Sequence, residues 1–187
     1  PYTTLFRSEK YAFSGCKSLY TLKIPSKLQR ISDYTFSKCI SLTEIKIPGS
    51  IREIGYKSFS GCSGLREISI PSTVKTVGIG AFENCTELKD ISLPTTLTEI
   101  NYYTFSGCTS LTTLTLHSKL TAINNYAFAG CKSLTEIHCK NSNPPLIGEN
   151  TFRDVNRIGC KIFVPSKRAK KSYSTALYWN EFTIYIE

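Results

Sequence analysis

Six cysteines, Cys16, Cys39, Cys62, Cys85, Cys108 and Cys131, recur every 23 residues without a slip. Thiols can be nucleophiles, metal ligands or disulfide partners, so this spacing is the first place to look for chemistry. Structural zinc wants paired C-x-x-C spacings, and the sequence has none. In stacked repeats, neighbouring Cα atoms of one lane lie about 5 Å apart, which a disulfide tolerates. A small apolar residue recurring where the chain turns is better explained as a packing column, because free Cys behaves as a small hydrophobe. The six are therefore expected as reduced, buried thiols. Cys139 and Cys160 fall outside the lane; a bond between them stays open, although their registers differ.

Carboxylates share the interval. Glu44, Glu67, Asp90 and Glu136 occupy one lane, beside Lys23 and Lys46 in the next. A catalytic pair would need a pocket to tune its pKa values, whereas this lane reads as a mixed-charge exposed strand face. The two histidines, His117 and His138, lie on adjacent units. That leaves a metal pair open, with solvent-facing polar side chains the better explanation. There is no Gly-rich phosphate loop, no H-E-x-x-H, and no Ser-His-Asp or Cys-His arrangement at useful spacing. The chain is read as non-enzymatic, with no catalytic, cofactor or metal residue and no cofactor.

The elements that must position these lanes follow from the repeat itself. FSGCKSL at Phe13 returns as FSKCISL at Phe36, FSGCSGL at Phe59, FENCTEL at Phe82, FSGCTSL at Phe105 and FAGCKSL at Phe128. A fixed period of this size is the signature of a solenoid. Seven positions stay apolar, the lanes headed by Phe36, Cys39, Leu42, Ile45, Ile47, Ile51 and Ile54. Ile45-Lys46-Ile47 alternates apolar, polar, apolar, which is a short strand with one face inward. Pro48 follows and cannot donate to a ladder, so it stops the strand. Pro25, Pro71 and Pro94 do the same in their copies, and His117 replaces proline in the fifth. The remainder, through Tyr34-Thr35-Phe36, has room for one or two helical turns. One such unit cannot bury its own apolar face; stacked copies can, with their strands pairing in parallel.

The pattern A-F-x-G-C-x-S-L-x-x-I-x-I-P-x-x-V-x-x-I-G resembles the BspA-like subfamily of leucine-rich repeats over about Tyr11 to His138. The resemblance implies an α/β leucine-rich-repeat solenoid. It would have a parallel sheet of short strands on the concave face, short helical or 3-10 turns on the convex face, and a C-terminal cap. It also implies a secreted or surface-attached protein, of a kind implicated in adhesion to host matrix proteins or to other cells.

Three segments are expected. Residues 1–8, PYTTLFRS, match the translated end of a common sequencing adapter and are read as an artefact, so a signal peptide would lie in a missing N-terminus. Residues 9–138 form six 23-residue repeats, and 139–187 a divergent last repeat and cap. In the last segment Asn143-Pro144-Pro145 is a turn-forming linker, and Phe152 falls 24 residues after Phe128, one too many. Ile162-Phe163-Val164-Pro165 reads as a last strand. Ser166 then caps a short helix through Leu177, with Ala169, Tyr173 and Leu177 on its buried stripe. Tyr178, Trp179 and Phe182 suit the covering of a terminal apolar face.

Repetition of this kind builds a long regular surface rather than a pocket. The outward concave positions form two lanes. One holds Thr21, Glu44, Glu67, Asp90, Thr113 and Glu136; the other holds Lys23, Lys46, Ser69, Ser92, Thr115 and His138. These twelve are the candidate partner-binding residues, and the partner expected is a protein, either host matrix or cell surface. Net charge is +9, and Lys161, Lys167, Arg168, Lys170 and Lys171 form a possible anionic-ligand patch. No nucleic-acid motif accompanies that charge. No apolar run approaches the roughly 20 residues that span a bilayer. Glycan recognition is the alternative, with Tyr20 and the tyrosine column Tyr11, Tyr34, Tyr103 and Tyr126 as stacking platforms and the basic cap for acidic sugars. A third reading makes the repeats ancillary to a larger enzyme.

Overall fold

A computed structural model describes residues 8–187. The artefact reading of the N-terminus therefore lies outside the described residues, except at Ser8. The Ser8 N–H donates to the Arg30 carbonyl at 3.2 Å, and its Oγ accepts from the Ser32 N–H at 2.9 Å.

The coils stack on their phenylalanines. Phe13, Phe36, Phe59, Phe82, Phe105, Phe128 and Phe152 form one continuous column with centroids 5.1 to 5.5 Å apart and rings within 16° of parallel. The seven lanes picked out by the repeat form the core: in the second copy the exposure of their residues runs from 0% to 7%, while in the first Phe13, Leu19, Leu22 and Leu28 are partly buried and Cys16 is exposed. The cysteine lane is a packing column of free thiols with a polar duty added. From Cys39 to Cys131 each Sγ donates to a phenylalanine carbonyl of the preceding coil, for example Cys62 to Phe36 at 3.0 Å, Cys85 to Phe59 at 3.3 Å and Cys108 to Phe82 at 3.4 Å.

Two turns per coil need left-handed backbone. One lane holds Tyr11, Tyr34, Lys57, Gly80, Tyr103 and Tyr126, and the other holds Gly15, Lys38, Gly61, Asn84, Gly107 and Gly130; all have φ between 46° and 75°. Glycine suits the second lane because φ above zero costs it nothing. Between these positions the convex side folds as overlapping turns: the N–H groups of Ser37, Cys39 and Leu42 donate to the carbonyls of Tyr34, Phe36 and Cys39, three residues back. Each is a 3-10-type bond.

The expected strand appears and is joined by one the repeat pattern did not announce. The outward-facing series is β3 (Glu67–Ser69), β5 (Asp90–Ser92), β7 (Thr113–Leu116), β9 (Glu136–Cys139), β11 (Lys161–Val164) and β12 (Thr183–Ile186). Pairing is parallel and in register, Glu67 against Asp90 and Thr113 against Glu136. Two-residue strands make the second series: β1 (Arg30–Ile31), β2 (Glu53–Ile54), β4 (Thr76–Val77), β6 (Glu99–Ile100), β8 (Ala122–Ile123) and β10 (Leu146–Ile147). They too pair in parallel, Ile31 on Ile54 on Val77. Here the coils approach so closely that a Cβ on Gly78 would lie 2.6 Å from the Tyr56 nitrogen.

The last part follows the same rules with insertions. Ile123 pairs with Ile147, 24 residues on, and Ile137 with Ile162, 25 residues on, yet Phe152 still stacks on Phe128. Asn141, buried in the first insertion, donates to the Leu120 carbonyl at 2.7 Å. Beyond β11, α1 spans Lys167–Thr175; the Ser166 Oγ accepts from the Ala169 N–H at 3.1 Å. Ala169 and Tyr173 are buried as expected, but the helix ends at Thr175 because Ala176 turns extended, which leaves Leu177 70% exposed. Trp179 and Phe182 close the phenylalanine column edge-on, at 5.8 and 5.5 Å from Phe152, and the Trp179 Nε1 donates to the Pro145 carbonyl.

His117 departs from the solvent-facing expectation. It is buried in the proline lane, its Nδ1 accepts from the Lys119 N–H at 3.3 Å, and its Nε2 has no well-directed partner among the described residues. Burial, then the Lys119 charge, holds this imidazole below its ordinary value, against a weaker opposing effect of the Pro94 carbonyl. A folded-state pKa below the unfolded one means that stability is complete above about pH 6.5 and falls as pH drops through the folded value. His117→Pro restores the residue found at Pro71 and Pro94. It should raise stability by about 0.5 to 1 kcal/mol and flatten that loss, which urea titrations at about pH 7.5 and about pH 5.5 (roughly one unit either side of the ordinary His value) would read.

Candidate functional site

The alternation of buried and outward residues along each strand decides what faces solvent. Ile68, Ile91, Leu114 and Ile137 point into the core, which turns Glu67 and Ser69, Asp90 and Ser92, Thr113 and Thr115, Glu136 and His138 outward. Ten of the twelve residues of the two lanes are exposed, and Glu136 and His138 are half-buried. In the first two copies the chain is extended with the same alternation at Thr21 to Lys23 and Glu44 to Lys46, without a full ladder. An open groove of about 620 Å³ runs over this half of the face, lined by Lys23, Glu44, Lys46, Glu67, Asp90 and their neighbours.

Electrostatics divide the face into stretches. Lys23 and Lys46 begin it. Glu44, Glu67 and Asp90 follow on successive coils about 4.8 Å apart, and none of the three belongs to an ion pair among the described residues. Like charges held opposite one another across strands oppose pairing. The far end is different. The His138 Nδ1 lies 2.7 Å from the Glu187 carboxylate, its Nε2 3.6 Å from Glu136, and the Lys140 Nζ reaches Glu187 at 2.6 Å. Lys140 first, then His138, pulls the Glu187 carboxyl below its ordinary value.

The His138 lane continues into residues the sequence reading left out. Phe163 pairs with His138 across β9 and β11, and Tyr185 with Phe163 across β11 and β12. The His138 and Phe163 rings stack at 4.8 Å, and Tyr185 lies 5.7 Å from Phe163, tilted by 31°. Lys161 is brought into the other lane, opposite Glu136 and Thr183, and so stands apart from Lys167, Arg168, Lys170 and Lys171 on α1. The signal was present: Ile162-Phe163-Val164-Pro165 aligns with Ile45-Lys46-Ile47-Pro48, and the middle position of that motif always faces out. The two extra residues of spacing hid it.

The other candidates for chemistry lie apart. His117 turns inward and His138 outward, so the two make no metal pair. Among the described residues no cluster of three His, Cys, Asp or Glu side chains could hold a metal. Cys139 follows His138 at one end of the paired stretch of β9 and β11, and Cys160 precedes Lys161 at the other, and both are free thiols. Burial pushes the Cys39 thiol up to about 11 and Cys62, Cys131, Cys139 and Cys160 up to about 12. Thiols held protonated in the core are poor nucleophiles. The tyrosine column stacks largely on itself, Tyr11 on Tyr34 at 4.7 Å and Tyr103 on Tyr126 at 4.9 Å, which occupies ring faces that a sugar would need.

Residues 4–108 and 53–178 match the BspA type leucine rich repeat region, in six copies. The chain belongs to the BspA-type leucine-rich repeat family. Its fold is that of solved bacterial leucine-rich repeat proteins. One from Bacteroides ovatus superposes with a TM-score of 0.65 at 24% identity, over 99% of this chain and 59% of that one. One from T. pallidum does so at 0.61 and 29%, over 64% and 58%. A leucine rich cell surface protein from Faecalibacterium prausnitzii gives 0.50 and 23%, over 91% and 66%. The chain thus spans about three-fifths of the length of the first two. No curated protein matches it. Modules of this repeat type are generally protein-interaction scaffolds without enzymatic activity. Among the described residues no helix is long and apolar enough to cross a membrane.

Thiol accessibility checks this arrangement directly. Of the eight cysteines only Cys16 is exposed. A disulfide reagent such as DTNB should titrate one thiol in the native protein and eight in denaturant; two or more fast thiols would mean that the cysteine column is open.

Proposed function

We propose that the chain is a non-enzymatic protein-interaction module that binds a host matrix or cell-surface protein through its strand face. The observation that carries this reading is the column of Glu44, Glu67 and Asp90. These carboxylates are exposed, mutually repelling and without ion-pair partners among the described residues. A sheet that served only stability would do better with alternating charge. A partner presenting cations opposite the column relieves the repulsion and gains specificity and association rate. The groove is shallow and open, which suits an extended protein surface better than a small molecule. Display on the cell surface is supported by the name of the Faecalibacterium prausnitzii relative, a cell surface protein.

The rings at the far end supply what the acidic column lacks. Phenylalanine and tyrosine are enriched at interface cores, tyrosine is among the residues that carry most binding energy, and Phe163 and Tyr185 continue the same lane as Lys46, Ser69 and Thr115. A partner lying along the groove would meet charge first and an aromatic anchor last.

A screen of immobilised full chain against extracellular-matrix and cell-surface proteins tests the proposal. For a partner so found, Glu67→Lys should weaken binding roughly tenfold or more, as expected of a charge partner lost and reversed, while the melting temperature holds or rises, because the charges of the column then alternate. Tyr185→Ala should raise the dissociation rate. Binding that ignores both substitutions would place the contact off the strand face.

A further inference from the structure

The helix α1 is built against its own stability. Lys167 and Arg168 occupy its first turn, where the aligned peptide dipoles present their positive end and cations are disfavoured; that turn holds no acidic residue. Lys167 and Lys171 are four residues apart, and Lys167 with Lys170 and Arg168 with Lys171 are three apart. Such like-charged pairs are neighbours on a helix surface and oppose its formation. All four cations are exposed, and none has an ion-pair partner among the described residues. The Ser166 cap and the burial of Ala169 and Tyr173 hold the helix in place. A local arrangement that works against its own element is where function is to be sought.

The chemistry of the face narrows the anion. The apolar residues Ala169 and Tyr173 point into the core, so the outward side offers no apolar side chain to enter a lipid layer, as surface-seeking helices do. Leu177 lies beyond the other end of the helix. No aromatic stands among the cations to stack a nucleobase. The outward side carries instead four cations over about 6 Å of helix rise, followed by Ser174 and Thr175. These hydroxyls donate to the Lys170 and Lys171 carbonyls, which leaves their oxygens able to accept from a sugar hydroxyl. A linear polymer with closely repeated acidic groups can meet such a row without a pocket.

We propose that the outward face of α1 is a binding site for an acidic polysaccharide, separate from the strand face. The full chain is tested against a heparin-type sulfated polysaccharide, its desulfated form, and vesicles of phosphatidylcholine with phosphatidylserine, at low and physiological salt. The sulfated polymer should bind, and its affinity should fall as salt rises, as counterion release requires. Its desulfated form and the vesicles should bind at least tenfold more weakly. The double variant K167E/K171E should lose binding tenfold or more and melt at a higher temperature, because acidic groups near the helix start favour the dipole. A structural role alone would not couple lost binding to gained stability. Should that variant misfold, K167Q/K171Q supplies the same comparison. Glu67→Lys should leave polymer binding unchanged. Undiminished binding by both double variants, or equal affinity for vesicles or for the desulfated polymer, would overturn the proposal.

Discussion

Everything in this molecule depends on the coils staying in step. A single coil has no core; its phenylalanine, cysteine and leucine are buried only because the same residues of the next coil lie on top of them. The phenylalanine column makes that dependence concrete. Ring stands on ring, and the backbone beneath is locked by the same repetition: the Phe59 N–H donates to the Ala81 carbonyl of the next coil, while the Phe59 carbonyl accepts from the Cys85 thiol. Aromatic pairs at these separations add to burial, and their regular spacing allows no register but one. A slipped coil would place a phenylalanine over a polar turn residue and leave a thiol and a carbonyl without partners in the dry interior.

The column also explains why cysteine occupies its lane. Valine or alanine would fill similar volume, but the phenylalanine carbonyl beneath would lose a donor. A thiol is the least polar side chain able to supply one, since it remains protonated and costs little to bury. The chemistry suggested by six regularly spaced thiols is thereby absorbed into the architecture. The same logic disposes of His117. At that position proline normally ends the strand, and histidine brings a ring nitrogen that the core cannot satisfy.

Most of this was legible from the sequence because the period exposes it. Seven buried lanes, the parallel stacking, the Ser166 cap and the outward lanes could all be read by aligning one copy with the next. Three features escaped, each for a physical reason. The second strand series is only two residues long per coil and has no alternation to reveal it; its existence follows from close approach at Gly78 and Gly55. The left-handed turn carried by Tyr34, Tyr103 and Tyr126 went unread because tyrosine is not a residue from which positive φ is inferred. Phe163 and Tyr185 joined the outward lane only after two insertions had been absorbed, at Lys140 to Pro145 and again before β11. The length of an insertion is visible in sequence, but not where the register resumes.

The two exposed regions obey one rule. The core of a solenoid is fixed by its neighbours, so the side chains that point away from it are free to break the usual preferences of their elements. On the strand face, carboxylates stand opposite carboxylates. On α1, cations crowd the end of a helix that prefers anions. Neither arrangement assists folding, and the Ser166 cap, the buried Tyr173 and the phenylalanine column together are stable enough to bear both. The signs are opposite and the regions distinct. The strand face fits a partner with cations and apolar side chains, whereas the helix fits a polymer of anions. On the two proposals together, the chain would hold a protein and an acidic polysaccharide at once, because occupying one face does not require the other to move.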